Sequence, residues 1–424
     1  MNYESAVMVV EIAAVMLMVF IVYHHFGYPV LLKLISSFKR RYRADLSFLR
    51  PRDFRDCVGD SRVPTVHLYI PAYNEAAVIE QKIDSLSWID YPANKLTITI
   101  LCDGCSDDTV AIARKAVARF SNKDLNIRIA DFDENRGKVA MVNEAIAQCE
   151  ADILAFSDAS AILAADAIWR MAQHFICNPH IGVVTGDYSL LQQGTEGEGA
   201  YWQYQNRIRE MESDLGAVMG APGAFYAVRT QLCDPLEVDT INDDFILPMR
   251  VIAKGYQSLF DPDLRILETE GSDEELDAKR RIRISQGNLQ QVLRLKRLFL
   301  PDQGWVSWMF ASGKLLRVLM PYCMLALLVI SAWLTPYHWF WGLIYMGQLA
   351  VYMLACLHYL DTEHWIVRSK LVNNRLVRLV SYLCVGHFMG LIGSASYLLK
   401  SSYHSVRRLF GLKTEEKRGW QKIR

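Results

Sequence analysis

Apolar residues dominate the start of the chain. From Ala6 to Tyr23 only Glu11 interrupts the run, which is about long enough to cross a bilayer. Apolar character resumes through Phe26–Ile35. A second apolar region begins near Val318 and divides into Val318–Leu334, Trp339–Tyr359 and Leu379–Leu399. The pattern between the two regions is different. From Val66, short apolar runs alternate with stretches of helical period. They predict strands at Val66–Ile70, Thr97–Cys102, Asn126–Ala130 and Ile153–Phe156. They also predict helices at Ala76–Trp88, Asp108–Phe120 with Asp107 as N-cap, and Gly137–Gln148. Such alternation predicts an α/β domain: a mostly parallel sheet flanked by helices. Ligands of such sheets bind beyond the carboxyl ends of the strands. Further on, Glu198–Gly216 predicts an amphipathic helix carrying Tyr201, Trp202 and Tyr204. Gly220–Ala224 and an apolar strand from Phe225 follow it.

Charge orients these segments. A cleaved signal peptide would open on basic residues, whereas this chain opens with Glu4 and no Lys or Arg, so a retained anchor is expected. Lys33, Lys39, Arg40, Arg41 and Arg43 follow it, and Arg368, Lys370, Arg375 and Arg378 lie in the 362–378 loop. Both stretches belong in the cytosol by the positive-inside rule, and Trp333, Tyr337, Trp339 and Trp341 suit an interfacial belt. Counting spans from a cytosolic middle puts the tail outside, yet Arg407, Arg408, Lys413, Lys417, Arg418, Lys422 and Arg424 argue for inside. The last segment, with Gly386, His387, Gly390 and Gly393, is therefore open to a spanning or a re-entrant arrangement. The expected layout is an anchor at 1–35, a basic linker at 36–63, a cytosolic domain at 64–300, membrane segments at 301–400 and a basic tail at 401–424.

Lys and Arg number 46, as do Asp and Glu. A net charge of zero gives no electrostatic case for nucleic acid. The nine cysteines form no disulfide framework, as expected in a reducing compartment. Cys102 and Cys105 form a CxxC with no companion pair at zinc-like spacing and are read as incidental to a βα turn.

Polar clusters stand at the strand ends: Pro71-Ala72-Tyr73-Asn74-Glu75, Asp103-Gly104-Cys105-Ser106-Asp107-Asp108 and Ser157-Asp158-Ala159-Ser160. Asp107 and Asp108 suit caps. Asp103 and Asp158, directly at strand ends, suit ligand roles. Clustered carboxylates repel unless a cation joins them, and hard oxygen donors fit Mg2+ or Mn2+, which keeps waters and is completed by substrate phosphates. Lys138 opens a helix after Gly137, so its charge and the free N–H groups of that helix can face phosphate. Asn242-Asp243-Asp244 opens another helix, where acidic residues also complement the dipole.

In this order and spacing the motifs resemble family 2 glycosyltransferases with the GT-A fold, in the branch of membrane synthases that make cellulose, chitin, hyaluronan and poly-N-acetylglucosamine. Pro71–Glu75 resembles "PAYNE", Asp103-Gly104 the "DG(S)" turn, and Arg136-Gly137-Lys138 with Asn143 "GKxxALN". Asp158-Ala159-Ser160 resembles "DxD", Thr240–Leu247 "TEDxxL", Arg281-Ile282-Arg283 with Gly287 "QRxRWxxG", and Trp420–Arg424 a "WxKxxR" ending. The resemblance spans about residues 64–300 and implies a membrane-bound inverting transferase. Its donor would be a nucleoside-diphosphate sugar, UDP-linked in this branch. Its acceptor would be a glycan, or alternatively a polyprenyl-phosphate lipid, with partner subunits for export.

By the same resemblance Pro71, Tyr73, Glu75 and Asp103 hold base and ribose, and Asp158 and Ser160 hold the metal. Lys138, Arg281 and Arg283 meet the diphosphate, and Asp244 is the general base. Guanidinium groups suit phosphate oxygens, while the Lys279–Arg283 and Arg294–Arg297 stretch also suits a basic helix on a membrane surface. Three positions depart from the family pattern. Ser160 replaces the last Asp of "DxD", Asn242-Asp243-Asp244 replaces "TED", and Ile284 and Arg280 replace the acceptor-stacking Trp and the Gln. The indole's loss bears on processive extension rather than on transfer.

Overall fold

The computed structural model describes residues 3–43, 63–120, 125–190, 196–268, 274–360 and 375–409. Most of the 36–63 linker, the 362–374 loop and the Trp420–Arg424 motif lie outside the described residues, as do the side chains of Tyr201 and Trp202. Two compact units divide the chain. Residues up to Leu31, Asp277–Leu293 and Phe310–Lys413 make a helical unit, and Leu32–Leu276 with Arg294–Met309 make a sheet unit.

In the sheet unit the strands are β1 (Val66–Ala72), β2 (Leu96–Asp103), β3 (Asn126–Phe132), β4 (Ile153–Ser157), β5 (Ala161–Leu163), β6 (Ile181–Leu190), β7 (Phe225–Arg229) and β8 (Gln257–Glu268). They form one sheet in the order β3-β2-β1-β4-β7-β6-β8-β5. The first four are parallel. The expected strands are all present, each extended by one or two residues.

β7 departs from the expected parallel pattern, because it runs antiparallel to both β4 and β6. A crossover helix would return the chain to the amino end of the sheet. Here the chain instead enters β7 at the carboxyl rim, with Phe225 opposite Ser157. With β5 antiparallel to β8, the sheet is mixed. This topology places the Gly220–Ala224 segment beside the end of β4.

Both faces of the sheet are covered, so its strands read as near-continuous apolar runs. Leu68, Ile70, Ala155, Phe225 and Ala227 face α3 (Ile79–Leu86), α4 (Thr109–Ala118) and α6 (Ala167–Cys177) in one core. Tyr69, Phe156 and Tyr226 alternate to the other side, with ring centroids 6.3 and 5.3 Å apart. α5 (Lys138–Gln148), α7 (Glu196–Asp214) and α8 (Asp243–Ala253) complete the unit. Asp108 takes the N-cap position of α4, but the carboxylate that accepts the Thr109 N–H belongs to Asp107, at 3.0 Å.

The helical unit contains α1 (Tyr3–Val22), a π turn at Tyr23–Gly27, the first residues of α2 (Tyr28–Arg43), whose remainder from Leu32 belongs to the sheet unit, and most of α9 (Glu274–Arg294). A short α10 (Trp305–Phe310) leads to α11 (Leu316–Leu334), α12 (Trp339–Leu360) and α13 (Arg375–Leu409). Among the described residues four helices, Tyr3–Lys39, Trp305–Leu334, Trp339–Leu357 and Val377–Leu399, are long and apolar enough to cross a membrane. Glu11, the interruption in the first of them, accepts a hydrogen bond from Trp341 Nε1 at 3.1 Å. α13 is one continuous helix despite its glycines. A Cβ on Gly393 would lie 2.6 Å from the Ile282 oxygen, so this glycine permits close approach to α9 instead of breaking the helix.

Candidate active site

Three loops at the carboxyl rim are built from backbone requirements. After β1, Asn74 adopts a left-handed conformation with φ 55°, which Asn tolerates better than most residues. Its amide accepts the Ser106 N–H at 2.9 Å and donates to Ser106 Oγ at 3.0 Å. The Glu75 N–H donates to Thr109 Oγ1 at 2.7 Å, and the Ala76 N–H to Asp107 at 3.2 Å. The turns after β1 and β2 are therefore stapled together. Pro71 lies within β1 opposite Leu101, Glu75 is buried, and Tyr73 is part-exposed at the strand end.

Asp103 is fully buried. Its two oxygens accept the Arg136 N–H at 2.9 Å and the Gly137 N–H at 2.7 Å. The carboxylate thus holds the turn that launches α5 and sets where Lys138 begins. Gly104 makes room for that turn: it has φ +61°, and a Cβ there would lie 2.3 Å from the Asn135 nitrogen. Gly104→Ala is expected to cost about 1–3 kcal/mol from backbone strain alone and to loosen the Arg136–Lys138 turn. A thermal melt of the purified variant indistinguishable from wild type would contradict this.

Lys138, Asp158 and Asp244 meet at this rim. Lys138 Nζ pairs with Asp158 Oδ1 at 2.8 Å. A Cβ placed on Gly223 would lie 3.2 Å from Asp158 Oδ2, 3.2 Å from Asp244 Oδ2 and 3.6 Å from Lys138 Nζ. All three groups therefore face one space that glycine leaves open. Burial works against the Lys138 charge, but the carboxylates of Asp158, Asp243 and Asp244 outweigh it and hold the ammonium above its ordinary pKa. Asp243 is buried at the start of α8, whereas Asp244 is part-exposed toward the shared space. Ser160 is part-buried in the same turn as Asp158.

The residues around this cluster hold it in place. The Ala221 N–H donates to the Asp244 carbonyl at 3.0 Å, tying the Gly220–Ala224 segment to α8. Asn143 acts as a backbone surrogate, donating to the Leu236 carbonyl at 2.9 Å and accepting the Leu236 N–H at 2.7 Å. Arg294 pairs with Asp239 at 2.6 Å and donates to Thr240 Oγ1 at 2.9 Å. Arg250 adds an ion pair to Glu237. The loop before Asn242 is thus fastened at several points, and Arg294 is an anchor of this loop. Arg281 and Arg283 belong to the helical unit. There the Arg281 guanidinium lies 4.2 Å from the Tyr382 ring centroid, and Arg283 is exposed. Cys102 and Cys105 are free thiols. The hydrogen bond from Cys102 lowers the Cys105 thiol to about 7.

Among the described residues no three His, Cys, Asp or Glu side chains cage a metal by themselves. The donors at the rim are nevertheless hard oxygens: two carboxylates facing one glycine, already sharing the ammonium of Lys138. Such a set fits a divalent cation that takes its remaining ligands from water and a diphosphate.

A mixed sheet with an acidic, lysine-bearing rim is the arrangement of a GT-A glycosyltransferase fold, here accompanied by helices long and apolar enough to cross a membrane. The family profile described as "Glycosyltransferase like family 2" matches residues 64–287, just over half of the chain, and the chain belongs to that family. A poly-beta-1,6-N-acetyl-D-glucosamine synthase of Staphylococcus epidermidis is 25% identical over 244 residues, covering 55% of this chain and 57% of its own length. The Staphylococcus aureus (strain COL) protein of the same name is 26% identical over 236 residues, covering 53% and 55%. The matched region thus spans little more than half of these relatives. Mannosyltransferase PcManGT from Pyrobaculum calidifontis, solved with GDP-Man and Mn2+, aligns with a TM-score of 0.65 over 91% of this chain and 99% of its own, at 20% identity. That likeness is one of fold.

Proposed function

We propose that this protein transfers a sugar from a nucleoside-diphosphate sugar, UDP-linked, to the hydroxyl of a growing envelope or extracellular glycan, with inversion at the anomeric carbon. The observation that carries this reading is the meeting of Lys138, Asp158 and Asp244 around Gly223 at the carboxyl rim. Asp244 accepts the proton of the acceptor hydroxyl as its oxygen forms the new bond to the anomeric carbon. The bond from that carbon to the diphosphate breaks with its electron pair on the leaving oxygen. Lys138 faces the charge that develops there. Pro71, Tyr73, Glu75 and Asp103 shape the nucleoside pocket. Asp158 and Ser160 hold Mg2+ or Mn2+, which when bound neutralises the diphosphate.

The names of the Staphylococcus relatives support a polymer of amino sugar as the product. The test supplies labelled nucleotide sugars one at a time, UDP-N-acetylglucosamine first, to membranes containing the full chain and sizes the product. A labelled polymer supports the reading. A single-sugar lipid would move the acceptor to a polyprenyl phosphate, and the exposed Ile284 at the acceptor-stacking position fits that outcome better than the first. No transfer from any donor would overturn the enzyme reading.

The sheet unit belongs on the cytosolic side, where nucleotide sugars are made and where the basic residues after the first apolar helix belong. Val238 is 67% exposed. A cysteine there, in a background without other accessible thiols, is expected to resist an impermeant maleimide in intact cells and to react after permeabilisation. Ready labelling of intact cells would reverse the orientation.

A further inference from the structure

α3 covers the sheet with an apolar stripe of Ile79, Ile83 and Leu86, and Lys82 sits within that stripe. Its side chain is 0% exposed. An ammonium in such a place is costly unless it is paired and hydrogen-bonded. Burial pulls it down to about 7 despite the opposing pull of Asp158 and Glu268. An apolar residue would pack there at no such cost.

The ammonium has a defined task. Its Nζ donates to Ser157 Oγ at 2.7 Å and to the Ala161 carbonyl. Those acceptors are the two ends of the turn that carries Asp158 and Ser160. Ser157 Oγ in turn donates to the Ala224 carbonyl at 2.9 Å, and the Asp158 N–H reaches the same carbonyl at 3.3 Å. Ala224 adjoins Gly223, which faces Asp158 and Asp244. One buried cation therefore clamps the turn at both ends and, through Ser157, links it to the segment opposite.

We infer that Lys82 is a positioning residue: it fixes the Ser157–Ala161 turn so that Asp158 and Ser160 are presented together toward the cation and diphosphate. The inference rests on the proposed role of Asp158 and Ser160. It also carries a sign. A buried positive charge near Asp158 repels a second cation, so an influence through charge alone predicts tighter metal binding when Lys82 is removed. Positioning predicts weaker binding.

The test measures Mn2+ affinity by electron paramagnetic resonance on the full chain with UDP, then with GDP, alongside kcat, the KM for Mn2+ and thermal melting. Lys82→Met keeps length and packing but donates nothing. It is expected to weaken Mn2+ binding by about 10–100-fold, the usual range for a group that orients a metal ligand. The melt should stay cooperative, and kcat should recover largely at saturating Mn2+. In Lys82→Ala, added n-propylamine is expected to restore Mn2+ affinity. Should Lys82→Met fail to fold, Ser157→Ala cuts the same link and is expected to weaken Mn2+ in the same direction. Unchanged or tighter Mn2+ binding in folded Lys82→Met, with or without a lower melting temperature, would overturn the inference. Absence of Mn2+ binding by wild type with either nucleotide would instead remove the proposed cation site, and the inference with it.

Discussion

Asp244→Asn is expected to lower turnover by about 10²–10⁴-fold, the usual contribution of a general base. The substitution preserves size and shape and removes the basic lone pair at neutral pH. The backbone hydrogen bond from Ala221 to the Asp244 carbonyl is untouched, so the Gly220–Ala224 segment keeps its place. Donor affinity is expected to change little, because the proposed nucleoside contacts lie at the ends of β1 and β2. The comparison that gives this prediction its edge is Asp243→Asn. Asp243 is buried in the first turn of α8, where a carboxylate complements the helix dipole by roughly 0.3–1 kcal/mol, rising to about 2 when partly buried. That corresponds to a loss of less than about 30-fold, read in stability more than in turnover. Initial rates and nucleotide affinity for both variants, in purified full-length protein, decide between them. Near-normal turnover in Asp244→Asn beside a dead Asp243→Asn would move the base to the neighbouring carboxylate.

The parallel half of the sheet was legible because its strands are short, β-branched and separated by helices of regular period, and because its polar residues fall where strands end. The rest depended on contacts that periodicity cannot carry. The direction of β7 follows from where Gly220–Ala224 delivers the chain, and a run of small residues does not encode that. Asp103 was placed as a ligand because it ends a strand, yet both its oxygens are engaged by N–H groups 33 and 34 positions further on. Those bonds fasten the turn that starts α5 to the end of β2, a pairing that no local pattern signals. Arg294 looked like part of a basic interfacial stretch, but its partners Asp239 and Thr240 are distant in sequence. Lys82 left a readable trace as a lone cation in the Ile79–Leu86 stripe. That position ordinarily suggests a helix face turned to water, and the buried face became evident only once Ser157 and Ala161 were seen behind it. Asp158, Asp244 and Lys138 come from three separate segments, and the motif order singled out each of them. Gly223, the residue that lets them share one space, had no motif of its own.

Asp158→Asn is the second large effect, and it should look different from Asp244→Asn. Asp158 carries the 2.8 Å ion pair with Lys138, and its other oxygen faces the space over Gly223 beside Asp244. Loss of its charge removes the hard donor proposed for Mg2+ or Mn2+ and releases the Lys138 ammonium from one of its three surrounding carboxylates. Asp244, the proposed proton acceptor, stays, but the diphosphate loses its proposed neutralising partner. The expected result is a fall of about 10²–10³-fold in kcat/KM, the scale of removing one preorganised stabiliser of developing charge. A raised donor KM and weaker Mn2+ binding should accompany it. Asp244→Asn, by contrast, should leave Mn2+ titration and donor KM nearly unchanged while turnover falls. Chelation separates the cases further. Excess EDTA is expected to abolish wild-type transfer and Mg2+ or Mn2+ to restore it, whereas Asp158→Asn should need much more Mn2+ for a partial return. Ser160 offers only a hydroxyl in the same turn, a weaker donor to a hard cation than a carboxylate, so it should not substitute for Asp158. Full wild-type activity in excess EDTA, or an Asp158→Asn enzyme whose Mn2+ requirement is unchanged, would detach Asp158 from the cation and leave its pairing with Lys138 as its whole contribution.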